Sequence, residues 1–133
     1  MTAAEQTKTS FADELQQRLI QLAVRVLRLG DALPKTVAGR HIAQQIIRSG
    51  TAPAPNYAEA RAAESTGDFV HKLGIVEKEL NETAVWLAIL VEANMMPAQL
   101  VADLCDETHQ LCKIIHASIA TAKKRRVRGA NEE

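Results

Sequence analysis

The stretch Arg48-Ser49-Gly50-Thr51-Ala52-Pro53-Ala54-Pro55-Asn56-Tyr57-Ala58-Glu59-Ala60 decides how this chain folds. Two prolines and a glycine fall inside a pattern that is otherwise helical. Proline has no N–H and clashes with the carbonyl four residues back, so a helix crossing this stretch must bend or stop. Two outcomes are open: an end near Gly50 with a restart at Asn56, or one helix that kinks. The apolar positions continue on both sides, so the reading adopted is one kinked element reaching about Glu64.

Upstream of the kink, Ala38, Ile42, Ala43, Ile46 and Ile47 supply a buried face, and Thr36 is placed to cap it. Before that, Phe11, Leu15, Leu19, Leu22, Val26 and Leu29 alternate by four and three, the signature of a helix seam. Ser10 is a candidate N-cap, with Asp13 at the capping-box position and Glu14 in the first turn. Gly30 suits the C′ position, and Leu33-Pro34 stops the helix. Ile20, Val24 and Leu27 widen the apolar stripe beyond what one partner needs.

Downstream, Ser65 or Thr66 caps a third helix. Its seam is Phe69, Leu73, Val76, Leu80, Thr83, Leu87 and Leu90, with a second apolar face at Val85, Ala88 and Ile89 and Trp86 beside it. Asn94 closes it, and Pro97 fits the first turn of the next helix. The fourth helix carries Leu100, Leu104, Leu111, Ile115 and Ile119. No strand alternation appears. The expected fold is all-α: an antiparallel up-down-up-down four-helix bundle over residues 10–122, its second helix kinked near Pro53 and Pro55. Residues 1–9 are read as a flexible N-terminus and 123–133 as a flexible basic tail.

Composition agrees. Of 133 residues, 47% are hydrophobic but only 3% aromatic, which favours helix packed on helix over a sheet core. Sixteen basic and 16 acidic residues cancel. The balance hides an asymmetry, because Lys123, Lys124, Arg125, Arg126 and Arg128 sit together and leave the rest mildly acidic. No apolar run is long enough to span a bilayer, and no signal-peptide core precedes Ser10, so a cytoplasmic protein without membrane contact is expected. Two wide-striped helices suggest that one face remains apolar after the bundle closes. Monomers rarely leave such patches in water, so self-association is expected.

Leu33-Pro34, Gln45-Ile46-Ile47-Arg48-Ser49, Asn56-Tyr57-Ala58-Glu59, Phe69 with Leu73-Gly74-Ile75, and Glu82 together resemble a family of small bacterial four-helix bundles. It includes proteins encoded in intervening sequences of large-subunit ribosomal RNA, and it is similar to accessory proteins of diversity-generating retroelements. The resemblance covers roughly Phe11 to Ala122. It implies a ring-like homopentamer without enzyme activity. In the retroelement branch it implies contact with a reverse transcriptase and with RNA through a basic surface.

Three constellations could carry chemistry. Arg48, Asn56, Glu59 and Glu82 are polar residues expected inside the protomer or between protomers. A lone buried carboxylate is costly, so Glu59 is expected to find Arg48 or backbone donors freed by the prolines. Their structural role, fixing the kink and register, outweighs a ligand role. Cys105, His109, Cys112 and His116 share one stripe of the fourth helix. That stripe is about 16 Å long, too long for one metal ion to touch all four. Cysteine acting as a small hydrophobe is the preferred reading, and both thiols are expected to be free, because their spacing on one helix does not let them bridge. No metal or cofactor is therefore expected. The basic run from Lys123 to Arg128 suits phosphates of RNA or DNA, though helix C-termini also welcome cations on their own account. No phosphate loop, nucleophile elbow or metalloprotease pattern is present, so no enzyme is expected. The leading reading is a homo-oligomeric scaffold for a partner protein or nucleic acid. The alternative is a ligand- or metal-binding bundle using Glu59 or the Cys-His stripe.

Overall fold

The computed structural model describes residues 9–132. Residues 1–8, most of the segment read as a flexible N-terminus, lie outside the described residues. Five helical segments follow one another: α1 (Phe11–Ala32), α2 (Val37–Thr51), α3 (Pro53–Arg61), α4 (Thr66–Glu92) and α5 (Ala98–Glu132). Two of them, α2 and α3, are the halves of one bent helix, so the molecule is a four-helix bundle. No strand occurs among the described residues.

Local chemistry sets the boundaries. Ser10 caps α1 by accepting the Asp13 amide at 3.0 Å. Thr36 caps α2 through Gly39 N–H at 3.1 Å, and Ser65 caps α4 through Asp68 N–H at 3.1 Å. Each satisfies a donor that a helix start leaves without an intrahelical acceptor. At the end of α4, Asn94 adopts φ 56°, the left-handed conformation. Its N–H donates to Val91 O and the next N–H, of Met95, to Leu90 O, both at 3.0 Å. That pair of bonds is the Schellman arrangement, and Asn tolerates the required φ better than most residues.

Gly30 differs from its expected role. No described glycine has positive φ, and α1 runs on to Ala32. Gly30 is buried, and a Cβ there would meet Ile47 Cδ1 at 2.6 Å. Gly50 plays the matching part from α2, where a Cβ would come within 2.7 Å of both Val26 methyl groups. The glycines let α1 and α2 approach closely; neither ends a helix.

The bend sits at Ala52, which keeps helical angles (φ −72°, ψ −35°). Pro53 and Pro55 withhold the amides that Ser49 and Thr51 carbonyls would have received. Polar side chains gather around the break. Thr51 Oγ1 donates to Ile47 O at 2.6 Å, Asn56 Nδ2 to Ala52 O at 2.9 Å, and Gln16 Nε2 reaches from α1 to Ala54 O at 2.9 Å. Beyond the bend the segment stops at Arg61, one turn earlier than the sequence pattern suggests.

Around the bundle, α1 packs on α2 and α3, these on α4, α4 on α5, and α5 back on α1. In the diagonal pairs, α1 with α4 and α2 or α3 with α5, no Cα atoms come within 8 Å of each other. The core is the set of seams read above: Leu19, Leu22, Ile46, Leu73, Leu80 and Leu111 are among the side chains fully removed from water. Leu100 is the exception. Expected inside, it is 71% exposed, and Val101 takes the buried place. From Leu104 the seam steps back by three residues to Val101, not by four to Leu100. Both steps suit a helix, so the sequence alone left the choice open.

Three hydroxyls sit in this apolar interior: Thr108 donates to Leu104 O of its own helix at 2.7 Å, and the other two meet between helices. Thr83 and Ser49 bond to each other at 2.9 Å between α4 and α2, and Thr83 also reaches Glu79 O at 2.8 Å. Ser49 is otherwise left with a long 3.4 Å contact to Ile46 O. Thr83→Val therefore strands Ser49 and is expected to destabilise by about 1–3 kcal/mol. The double variant with Ser49→Ala should cost clearly less than the two single costs added. Urea unfolding of the four proteins checks this, and strict additivity would contradict the pairing.

Candidate functional site

On the outer side of α1, Ile20, Val24 and Leu27 lie opposite the core seam and are 38–45% exposed. On α4, Val85 and Ile89 do the same at 59% and 37%. Because α1 and α4 are diagonal partners, the two apolar stripes look away from each other on opposite sides of the bundle. Gln17, Gln21, Arg25 and Arg28 border the α1 stripe. Glu82 and Glu92 stand about one helical turn beyond either end of the α4 stripe.

Arg48 and Glu82 form the centre of a cluster on the α2–α4 face. The Arg48 guanidinium contacts Glu82 and lies 3.4 Å from Glu79. Glu82 also accepts Trp86 Nε1–H at 3.2 Å, and His41 meets the Trp86 ring edge-on, centroids 6.0 Å apart. This cluster is at the surface; the Arg48 side chain is half exposed. The expected four-residue network is therefore corrected. Arg48 and Glu82 come together, but Asn56 serves the bend alone, and Glu59 bonds Lys72 at 2.8 Å on a solvated edge. The reason is distance along the helices. Glu59 follows the bend and meets the start of α4 at Lys72. Arg48 precedes the bend and docks at Glu79 and Glu82, about two turns or more further along α4.

The Cys-His stripe is brought together only in part: His109, Cys112 and His116 line one open surface pocket with Glu77 and Asn81, and Cys105 lies outside it. Cys105 and Cys112 pack against the core, while His109 and His116 are exposed. Cys112 Sγ approaches Asn81 Oδ1 at 3.2 Å and His116 Nδ1 approaches Glu77 Oε2 at 2.9 Å. Burial first, then the Glu77 carboxylate, pushes the Cys112 thiol above its ordinary range; burial and Asp106 do the same for Cys105. A thiol held protonated is a poor metal ligand and a poor nucleophile. Among the described residues, no three His, Cys, Asp or Glu side chains converge as a metal would require. His41 and His71 lie apart from this stripe at exposed positions.

The basic segment takes a different form from the expected tail. Lys123, Lys124, Arg125, Arg126 and Arg128 are exposed residues on the last turns of α5, continuous with the helix before them. α5 runs antiparallel beside α4, and Lys123 to Arg126 lie about level with the first turn of α4, so only the residues after them extend past it. Arg126 lies over the start of α4, its Nη1 3.5 Å from where a Gly67 Cβ would stand. None of the five makes an ion pair among the described residues.

Sequence reasoning missed the clamp between α1 and α5. Arg18 grips Glu107 with two bonds, Nη2–Oε1 at 2.5 Å and Nε–Oε2 at 3.0 Å. The hydrogen bond to Glu107 raises the Arg18 pKa further. Nothing in the local pattern of either helix distinguishes these residues from other solvated charges. Below that clamp the two helices part, and a groove of about 700 Å³ opens over Tyr57, Phe69 and Ile114.

Fold and surfaces together define a small all-helical bundle whose polar clusters lie on the outside and whose apolar faces are not all used within one chain. The chain matches the 23S rRNA-intervening sequence protein model over residues 13–117, and it belongs to that family. Among solved structures it is similar to a protein of unknown function from the S23 ribosomal protein family of Bacteroides thetaiotaomicron. The two are 28% identical, with a TM-score of 0.75 over 82% of this chain and 97% of that one. No curated protein matches.

Proposed function

We propose that this protein is a non-enzymatic, homo-oligomeric scaffold, a ring of copies that offers its basic ends to nucleic acid and to a partner protein. The observation that carries the reading is the pair of apolar stripes on diagonally opposed helices. A face that must dock on a different face of the next copy makes a head-to-tail contact, and such contacts close into rings when the rotation allows. The bordering charges favour the pairing: Arg25 and Arg28 stand beside one stripe and Glu92 near the other. Five copies is the number suggested by the family resemblance. In that resemblance the partner is a reverse transcriptase or RNA. Light scattering at micromolar concentration tests the assembly; a single monomeric mass defeats it.

The nucleic-acid part rests on five cations, unpaired among the described residues, on the exposed end of α5 repeated around the ring. Multivalency multiplies a weak phosphate contact without new chemistry. Binding to a structured RNA should weaken steeply with salt. Ending the chain after Ala122 should flatten the log–log salt slope by about 4, since each lost phosphate contact removes about 0.7–0.9. An unchanged slope removes the α5 end from the interface.

The second reading, a metal-handling bundle, has less support, because the thiols and imidazoles do not converge among the described residues. Stoichiometric transition metal in the purified protein would promote it.

A further inference from the structure

Apart from Arg125, the groove beneath the Arg18–Glu107 clamp has no role in the reading above. It runs between the first turns of α1 and the second half of α5, with α3 and the start of α4 as its floor. Its walls are apolar, and its volume of about 700 Å³ lies within the range of small-molecule sites. Two features set it apart from a packing defect. Tyr57 is only 5% exposed, yet its hydroxyl makes no hydrogen bond among the described residues. No described buried polar atom lacks a partner, so that hydroxyl must open into the groove. Two guanidiniums, Arg61 and Arg125, line the same groove. Arg61 is held at 2.7 Å by Asp13, and Arg125 has no ion-pair partner among the described residues.

We infer that this groove binds a single-chain alkyl carboxylate, its head on Tyr57 and Arg125 and its chain along Phe69, Ile114 and Ala122. An apolar trough lined by a phenolic hydroxyl and an unpaired guanidinium selects an anionic amphiphile over a neutral or cationic one. Arg125 supplies the charge-assisted bond, and the Tyr57 hydroxyl supplies a second donor that leaves its own polar atom satisfied. Along α5 the groove extends from Ile114 to Arg125, about 16 Å at helical rise, the reach of an extended chain of about twelve carbons. Burial of each methylene adds to affinity, so longer chains bind tighter until the trough is filled. Phe11, exposed on the rim, is placed to cover the chain.

Calorimetric titration of the full chain with sodium dodecanoate, below its micelle concentration, tests this. One site per chain is expected. Dodecyltrimethylammonium, with the same tail and the opposite charge, should bind at least about tenfold more weakly, the size of one charge-assisted bond. Arg125→Gln should weaken dodecanoate by a similar factor. Tyr57→Phe should weaken it less, and Thr121→Trp, a substitution at an exposed groove position, should abolish binding. Lys123→Gln, on the same turns but outside the groove, should leave it unchanged. Circular dichroism of each variant confirms the fold. Equal affinity for both amphiphiles, indifference to Thr121→Trp, or no heat up to millimolar dodecanoate overturns the inference. So does binding to phosphatidylglycerol vesicles without binding of dodecanoate, because that outcome assigns the cations to a lipid surface.

Discussion

Val24→Glu alone and Val85→Glu alone are each expected to be monomeric, and an equimolar mixture of the two is expected to form a dimer. Each variant spoils one apolar stripe and keeps the other. A carboxylate forced into a closed apolar contact must be desolvated without a partner, at a cost of several kcal/mol. At about 1.4 kcal/mol per factor of ten, that weakens the contact by about a thousandfold or more. In the mixture, the intact α4 stripe of the Val24 variant still fits the intact α1 stripe of the Val85 variant. One contact forms, and neither partner can add a third copy. A self-complementary interface behaves differently: one variant remains assembled, the other does not, and mixing changes nothing. Light scattering on three samples separates these outcomes. Both substitutions lie at exposed positions, so each monomer keeps its fold.

Alanine at Gly39, Gly50 and Gly30 is expected to destabilise in that order, by about 2–3, about 1–2 and about 0 kcal/mol. The ranking follows from what each new methyl group meets. At Gly39 it meets the Pro34 backbone carbonyl, which cannot move without dismantling the start of α2. At Gly50 it meets Val26, whose two methyls and Cβ all lie within 3.0 Å, so no rotation about χ1 clears the space. At Gly30 it meets the far end of Ile47, which can swing to another rotamer. Each change also recovers up to about 1 kcal/mol of helix propensity, which offsets the small cost at Gly30 but not the larger ones. Thermal unfolding reads the order directly. A Gly30 variant less stable than the Gly39 variant would mean that α1 and α2 are not packed this way.

Much of the architecture was legible because its signals are local. Ser10, Thr36 and Ser65 cap because a hydroxyl three residues before a free amide can do little else. The seam from Leu73 to Leu90 repeats often enough for its phase to be read. Pro53 and Pro55 located the bend because a missing amide is a property of the residue. The polar groups were less legible, because their partners depend on where each side of the bend meets α4. Glu59 went to Lys72 instead of Arg48 for that reason. Gly30 misled in the opposite direction: glycine at the end of a periodic stretch serves equally as a terminator or as a point of close approach, and only the neighbouring helix decides. The groove over Tyr57 left no trace in periodicity, since it exists where two distant helices part. The one hint was Tyr57 and Arg61, four apart on the short segment after the prolines.

An even number of passes through the bundle has a practical corollary. The first residue of α1 and the last turns of α5 emerge at the same pole, with Tyr57, Arg61 and the cations of α5 around them. Purification handles or reporter proteins fused at either terminus would crowd that pole and blunt whatever docks there. The opposite pole, formed by the turns at Leu33–Thr36 and Ala93–Pro97, is bare of those groups. An insertion between Met95 and Pro97 therefore offers a way to label the molecule while leaving its charged pole open.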